Sequence, residues 1–177
     1  MIPEGQLAMG EHPEQPANRL PRYPGCCMCG TGERSGTSVT FYVVDDTVRV
    51  DFTPTETHRG FPGIIHGGVL SALLDEAMGW APTLKAGRFC VTGEMAIRFL
   101  RSVPIGRPIT VIATADRIGR VCTASAEVVD AEGAVYARAE GKYVPLSIEE
   151  CREVARALVA GPDTIPLAEW LAEEARP

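Results

Sequence analysis

A glycine pair and a carboxylate in one apolar run are the residues of this sequence best suited to chemistry. Gly67 and Gly68 begin the run, and Asp75 follows within it. The first turn of a helix carries backbone N–H groups without intrahelical partners, and glycines let a carbonyl oxygen or an anion approach them. Because burying an unpaired charge is costly, Asp75 is a candidate base or nucleophile. The run therefore predicts an electrophile-binding helix start followed by a reactive carboxylate.

The spacing of these residues predicts a site shared between two chains. A helix rises 1.5 Å per residue, so Gly67 and Asp75 lie about 12 Å apart along its axis. A hydrogen-bond donor and a nucleophile that act on one carbonyl must each lie about 3 Å from the reacting group. One helix cannot supply both groups. If both residues act, we expect a homodimer, or a dimer of dimers, with antiparallel helices and shared sites.

The composition limits the classes of partner. The chain has 177 residues, of which 45% are hydrophobic, and a net charge of −6. This length suits one domain with a sizeable core. The acidic balance argues against nucleic acid as a partner but permits a small anionic ligand held by local arginines. With neither a signal peptide nor an apolar run of about 20 residues, we expect a cytoplasmic protein that does not bind a membrane.

Alternating and continuous apolar segments predict two strands, a helix and then four more strands. The helix is apolar around most of its circumference, so we expect it to be buried, and Gly79 and Pro82 predict its end. Short links between the last four strands favour antiparallel neighbours. The predicted fold is α+β, a curved antiparallel sheet around one central helix. The predicted bounds are Thr40–Val44, Val48–Phe52, Ile65–Trp80 (the helix), Arg88–Leu100, Pro108–Arg117, Arg120–Val129 and Ala134–Val144.

The two ends of the chain differ from this domain. The first 22 residues are rich in proline, glycine and polar residues, so we expect a flexible segment over residues 1–22. The domain is expected over residues 23–146. Residues 147–177 are expected to form a helical extension, with helices at Ile148–Ala160 and Pro166–Glu174.

Six cysteines raise the question of a metal site. Cys26 and Cys29 have the spacing of half a tetrahedral zinc site, and Cys27 lies between them, but no second pair or suitably spaced histidine pair follows. We therefore expect reduced, half-buried thiols and no metal, although the sequence leaves metal binding by this cluster open. Cys90 and Cys122 lie in predicted strands and are expected to be small core residues.

The order of elements, with His66-Gly67-Gly68 and Asp75 placed as they are, resembles the hotdog-fold acyl-CoA thioesterases. It is most similar to the phenylacetic-acid-degradation type and its mammalian mitochondrial relatives. The resemblance covers about Cys26 to Leu146 and is most specific between Phe61 and Glu76. It implies a hotdog fold, a homodimer and hydrolysis of an acyl-CoA thioester to a free acid and CoA, without a cofactor.

The resemblance also implies roles for single residues. The Gly67 N–H matches the group that polarises the thioester carbonyl, and Gly68 next to it is expected to contact the substrate. Asp75 matches the nucleophile or general base, and Thr92 matches the hydroxyl residue that helps to hold the attacking water. In one respect the sequence departs from the family, because Gly60 stands where some members have an asparagine that contacts the carbonyl. Oxyanion binding is therefore expected to depend more on backbone donors.

Several neighbouring residues have two readings each. His66 either acts as an acid or base or orients the loop before the helix. Glu76 is adjacent to Asp75, but helical neighbours point about 100° apart, so we expect it to be a surface or interface charge. The acyl pocket is expected near Met78, Trp80 and a loop over residues 82–88, unless these residues pack in the core. By resemblance, the CoA nucleotide is held by Arg101, Arg120 and Lys142, which are otherwise solvated surface charges.

Two other functions remain open from the sequence. A lyase on the same fold would hydrate or dehydrate an acyl thioester, which requires His66 and Asp75 to meet across the interface. A non-catalytic protein would bind or sense acyl-CoA without releasing a thiol. Product analysis with an enoyl thioester separates the lyase from the thioesterase, since a hydratase leaves the thioester intact.

Overall fold

The structure, a computed structural model, describes residues 18–30, 37–161 and 163–166. Its described residues form one six-stranded antiparallel sheet and two α-helices. The sheet order is β1-β2-β4-β5-β6-β3, so β3 lies at one edge. The elements are β1 (Tyr42–Val44), β2 (Thr47–Phe52), a 3-10 turn (Glu56–His58), α1 (Gly67–Ala86), β3 (Cys90–Phe99), β4 (Ile109–Arg117), β5 (Cys122–Val129), β6 (Val135–Pro145) and α2 (Ile148–Ala157).

The core lies between α1 and one face of the sheet. Side chains alternate along β4 and β5, with every second residue buried against the helix. Leu73, Leu74 and Ala77 of α1 are completely buried beneath that face. The helix contacts β2 to β6, so the sheet curves around it as a hotdog fold requires. The predicted α+β fold is confirmed.

The strand predictions are confirmed with small changes at their ends. The first hairpin turns at Asp45 and Asp46, whose φ angles of 47° and 61° give the left-handed pair typical of a two-residue hairpin. The helix predicted at Ile148–Ala160 is found as α2, which ends three residues earlier, at Ala157. The helix predicted at Pro166–Glu174 lies outside the described residues, except for Pro166.

The prediction for the end of the central helix was wrong. The helix continues six residues beyond Trp80, through Pro82, and ends at Ala86, with Gly87 as the C-cap at a φ of 62°. Proline removes one N–H donor from the helix, but Pro82 is buried, as are its neighbours Ala81 and Thr83. Packing of this last part therefore outweighs the lost hydrogen bond.

A lead-in segment, residues 18–30, precedes the first strand and is tied to the domain. The Leu20 N–H donates to the Phe41 carbonyl at 2.8 Å, and Leu20 is only 2% exposed. Arg22 and Val159 exchange two backbone hydrogen bonds, which connect this segment to the chain after α2. Residues 18–22, which the sequence placed in a flexible segment, thus pack on the domain. Within the described residues, no helix has the length and apolar character that a bilayer span requires.

Candidate active site

The start of α1 leaves one backbone donor open. His66 is the N-cap, and its Nδ1 accepts a hydrogen bond from the Gly68 N–H at 2.9 Å. The His66 carbonyl accepts from the Val69 and Leu70 N–H groups at 3.0 and 3.3 Å. The Gly67 N–H has no partner among the described residues, and it lies at the positive end of the helix dipole. Gly67 therefore supplies the free donor of this turn, and His66 acts here as its cap.

The loop before α1 is held close to the helix start. The His66 N–H donates to the His58 carbonyl at 2.8 Å, and the Ile65 N–H donates to the Val103 carbonyl at 3.0 Å. A Cβ at Gly60 would lie 2.9 Å from the His66 Cα, which is too close for any side chain. The asparagine that some relatives have at this position would not fit here without a shift of the loop. The loop therefore fixes the shape of this region, and the Gly67 N–H beside it stays open.

Asp75 and Thr92 form a direct pair within one chain. Thr92 Oγ1 donates a hydrogen bond to Asp75 Oδ1 at 2.7 Å. Asp75 is half-buried on α1, while Thr92 is exposed on β3 at a register shift between Thr92 and Glu94. The hydroxyl fixes one carboxylate oxygen and leaves Oδ2 for a proton or an electrophile. Two predicted site residues are thus brought together, and Gly67 lies two turns away at the start of the helix.

A cavity of about 350 Å³ lies beside Gly67. Its apolar walls include Phe61, Phe99 and Leu100, which are 75%, 52% and 44% exposed. A Cβ at Gly67 would lie 3.7 Å from the Phe99 ring, so the ring adjoins the open amide. The sequence did not identify these aromatic residues, because a single apolar residue in a loop or at a strand end has no periodicity that marks a pocket.

The acyl pocket expected near Trp80 is not found there. Met78 is completely buried, and the Trp80 ring packs edge-on against Phe89 with centroids 5.8 Å apart. Residues 82–86 belong to α1 and do not form a loop. The core-packing reading of Met78 and Trp80 is therefore correct.

The three candidate CoA-binding cations lie in different places. Arg101 lines the cavity beside Gly67. Lys142 is paired with Glu94 across β6 and β3 at 2.7 Å. Arg120 lies exposed in the turn before β5. Lys142 is on the neighbouring strand β6, opposite Thr123 of β5. One chain therefore offers Arg101 near the amide donor and the other two cations away from it.

Glu76, predicted to be a surface or interface charge, is not an exposed surface charge in this chain. Its half-buried carboxylate faces the lead-in segment and accepts a hydrogen bond from Cys26 Sγ at 3.4 Å. Burial raises the pKa of the Glu76 carboxyl, and the charge of Asp75 raises it further. Burial also raises the pKa of the Cys29 thiol, which lies beside Glu76. The sequence did not predict this contact, because Cys26 lies fifty residues from Glu76 and local residue spacing does not record such a partner.

Tyr143 is a polar residue close to α1 that the sequence analysis did not identify. Its hydroxyl is buried and has no hydrogen-bond partner among the described residues. Burial raises the pKa of Tyr143, and the nearby charge of Asp75 adds to that rise. A Cβ at Gly141 would lie 2.7 Å from the Tyr143 ring, so the ring requires glycine at that position. The Tyr143 ring also packs against α1, since a Cβ at Gly79 of that helix would lie 3.8 Å from it.

Comparison with known proteins finds a family match and a curated relative. Residues 62–137 match the model of the thioesterase superfamily. A Deinococcus radiodurans protein whose name proposes an esterase is 35% identical over 75 residues, which cover 42% of this chain and 50% of that protein. The chain thus spans about half the length of this curated relative.

Solved structures show the same fold. The Escherichia coli PaaI protein, from the phenylacetic acid degradation operon, is 22% identical with a TM-score of 0.58, and the match covers 63% of this chain and 81% of that protein. A Streptococcus mutans protein bound to acetyl-CoA is 21% identical with a TM-score of 0.56, over 60% of this chain and 89% of that protein. The predicted resemblance to the hotdog-fold thioesterases is confirmed.

Proposed function

We propose that this protein is an acyl-CoA thioesterase whose active site combines Asp75 and Thr92 of one subunit with the Gly67 amide of another. The observation that carries the proposal is the pair of Thr92 Oγ1 and Asp75 Oδ1 at 2.7 Å. A carboxylate oriented by a hydroxyl group, with its second oxygen free, is what a general base or a nucleophile needs. The match to the thioesterase superfamily supports a hydrolase, and the acetyl-CoA held by one structural neighbour supports a CoA thioester as substrate.

The proposed reaction uses two groups of α1, the Gly67 N–H at its start and the Asp75 carboxylate two turns further along. The Gly67 N–H, with the dipole of α1 behind it, stabilises the negative charge that develops on the thioester oxygen, a contribution of about 3 kcal/mol for one such donor. Asp75 either accepts a proton from the attacking water or attacks the carbonyl itself and forms a mixed anhydride. In both routes the C–S bond breaks, and CoA leaves as the thiolate and takes up a proton. With water as the nucleophile this step gives the free acid directly, whereas after direct attack a water molecule must hydrolyse the anhydride, which releases the acid and restores Asp75. Incorporation of labelled oxygen from water into Asp75 during one turnover identifies direct attack.

The exposed edge of the sheet supports the assembly that this site requires. The ten residues of β3 form an edge strand whose outer side has no partner among the described residues. A long unpaired edge of this kind is usually covered in the working protein. Antiparallel pairing of two β3 strands about a twofold axis would bring Asp75 of one chain towards Gly67 of the other, because Asp75 contacts Thr92 near the start of β3 and Gly67 lies beside Phe99 at its end.

The partly exposed Phe61, Phe99 and Leu100 support the same interface. They surround Gly67, and a cluster of exposed apolar side chains on a soluble protein marks a binding surface. In the proposed dimer they wall the acyl group, while Arg101, Arg120 and Lys142 contact the CoA phosphates from both subunits. Arginine is suited to this task because its guanidinium group binds phosphate through two hydrogen bonds.

Thiol release by Asp75→Asn tests the assignment. The wild-type protein is expected to release CoA from at least one of a panel of aryl, short-chain and long-chain acyl-CoA substrates. Asp75→Asn keeps an oxygen that accepts from Thr92 but lacks the basic charge, so kcat is expected to fall by about 100-fold or more. Asp116→Asn is the matched control, since Asp116 also accepts a hydroxyl hydrogen bond, from Ser125 at 2.9 Å, on the sheet. An Asp75→Asn protein as active as this control would contradict the proposal.

The lyase is the second candidate, and the geometry favours it less. It needs His66 as an acid or base, but His66 Nδ1 is engaged by the Gly68 N–H at 2.9 Å. An enoyl-CoA substrate would be hydrated with its thioester intact by a lyase and cleaved to the free thiol by a thioesterase. An acyl-CoA binding protein without activity would show ligand-induced thermal stabilisation and no released thiol.

A further inference from the structure

A cluster of two thiols and a carboxylate lies on the side of α1 that the proposed reaction does not use. The Sγ atoms of Cys26 and Cys29 and a carboxylate oxygen of Glu76 all lie within 4.8 Å of one another. The closest approach given is 3.4 Å, between Cys26 Sγ and Glu76 Oε2. Cys29 is only 4% exposed, and Glu76 is half-buried. The cluster joins the lead-in segment to the helix that carries Asp75.

The turn from Cys26 to Gly30, called here the cysteine turn, is already shaped for a bound thiolate. The N–H groups of Met28 and Cys29 point at Cys26 Sγ, at 3.3 and 3.4 Å. These two N–H groups would donate charge-assisted hydrogen bonds to a metal-bound sulfur. A Cβ at Gly30 would lie 2.2 Å from the Cys26 carbonyl oxygen, so only glycine allows this turn to close.

Residues outside the cysteine turn hold it in place. Arg22 Nε donates to the Cys29 carbonyl at 2.7 Å, and Thr37 Oγ1 donates to the Met28 carbonyl at 2.6 Å. These two hydrogen bonds hold the backbone of the cysteine turn from both sides in sequence, at residues 22 and 37. A site whose ligands are oriented before binding loses less entropy when the ion arrives.

Glu76 lacks the partners that a buried carboxylate normally has. Within the described residues it forms no ion pair, its hydrogen-bond partner is the Cys26 thiol, and the Cys29 thiol lies within 4.8 Å of it. A thiol is a weak donor, and a buried carboxylate without strong donors or a cation is costly. Asp130 shows the contrast in the same chain, since an arginine, a tyrosine hydroxyl and two backbone N–H groups surround it. A cation would resolve the unfavourable surroundings of Glu76.

We propose that Cys26, Cys29 and Glu76 bind one Zn²⁺ ion, which fastens the cysteine turn to α1. Zinc binds thiolate sulfur at about 2.3 Å and carboxylate oxygen at about 2.1 Å, so neighbouring ligand atoms on a tetrahedral ion lie roughly 3.6 Å apart. Cys26 Sγ and Glu76 Oε2 are 3.4 Å apart, and no pair of the three ligand atoms exceeds 4.8 Å. Binding releases one proton from each thiol, and a third if Glu76 is protonated, and leaves a complex with one net negative charge. Water takes the fourth position. The third protein ligand lies far from the cysteines in sequence, so cysteine spacing alone indicated half a site.

Metal binding by the full-length protein under reducing conditions tests this site. We expect about one equivalent of zinc per chain by elemental analysis, and Co²⁺ in its place is expected to give sulfur-to-metal charge-transfer bands and the visible bands of a tetrahedral ion. Competition with a chromophoric chelator should give an affinity that falls by more than about 100-fold in Cys29→Ser, since even the residues that only support a ligand cost 10- to 100-fold. Glu76→Gln is expected to weaken binding, with thermal unfolding recorded to confirm that the variant folds.

Cys27→Ser is the matched control, because Cys27 lies in the same turn but is exposed and outside the cluster. Its zinc affinity is expected to equal that of the wild type. Alkylation with iodoacetamide, read by mass spectrometry, supplies a test without substitution, because zinc should protect Cys26 and Cys29 but leave Cys27 reactive. Failure of the reduced wild-type protein to bind zinc, an equal loss in Cys27→Ser, or unchanged affinity in Glu76→Gln would each overturn the proposal. A Cys26–Cys29 disulfide that persists in place of metal binding would also overturn it.

Discussion

Replacing Gly67 by proline removes the proposed oxyanion donor and leaves the fold intact. Gly67 is the first residue of α1, where proline is favoured because that N–H has no intrahelical partner. The residue before it, His66, has φ −69° and ψ 130°, the conformation that a following proline requires. A Cβ at this position meets only the Phe99 ring, at 3.7 Å, which is ordinary contact. The free energy of unfolding is therefore expected to stay within about 1 kcal/mol of the wild-type value.

The activity of Gly67→Pro is expected to fall far more than its stability. Loss of one oxyanion-hole donor costs about 2.7–4 kcal/mol of transition-state stabilisation, which corresponds to about 100- to 1000-fold in kcat. Gly67→Ala is the control, since it adds the Cβ but keeps the N–H. The assay is the steady-state release of thiol from the best acyl-CoA substrate, with thermal unfolding of both variants recorded alongside. A Gly67→Pro enzyme with a kcat close to that of Gly67→Ala would refute the role of this amide.

Three further perturbations follow from single contacts. Thr92→Val removes the hydroxyl that donates to Asp75 at 2.7 Å, so kcat should fall about 10- to 100-fold. Thr92→Ser keeps the hydroxyl and should stay near the wild-type kcat, so equal rates for the two variants would contradict the pairing. His66→Ala removes the side-chain cap at Gly68 and should lower the free energy of unfolding by about 1 kcal/mol in urea titrations. His66→Asn retains an acceptor and should lose less stability, so a smaller loss in His66→Ala than in His66→Asn would argue against the cap. The Arg107 guanidinium holds the pKa of Asp130 well below its usual value of 3.8, so this carboxylate stabilises the fold above that pH and loses its effect as pH falls through the lower folded value. Asp130→Asn should thus be less stable than wild type at pH 7 and lose less stability between pH 5 and pH 2, as urea midpoints would show; parallel pH curves would exclude this linkage.

Much of the fold followed from local sequence signals. Gly67 and Gly68 predicted the start of α1 to within two residues, because helix starts depend on nearby capping groups. The end of the same helix was misjudged at Pro82, since the penalty of proline is local but the packing that overcomes it comes from the sheet. Backbone preference is thus readable from sequence where no distant contact opposes it.

The candidate site was predicted in part. The pair of Asp75 and Thr92 was anticipated through family resemblance, and the structure brings the two side chains into contact. The partner of Glu76 was not anticipated, because Cys26 lies fifty residues away and the two meet only after the lead-in segment folds onto α1. The aromatic wall at Phe99 was missed for a similar reason. Contacts between distant segments are set by packing geometry, which a local pattern does not record.

The most direct test of the shared site is complementation between two inactive variants. In the proposed dimer, Gly67→Pro and Asp75→Asn homodimers each lack one group at both sites. A mixed dimer has one site that lacks both groups and one that is intact. Random exchange of equal amounts would make half of the dimers mixed, so about a quarter of the wild-type activity should return. Subunit exchange is verified by mass spectrometry with one variant isotopically labelled. Mixed dimers that form but remain as inactive as the parent variants would show that Gly67 and Asp75 do not act on the same thioester.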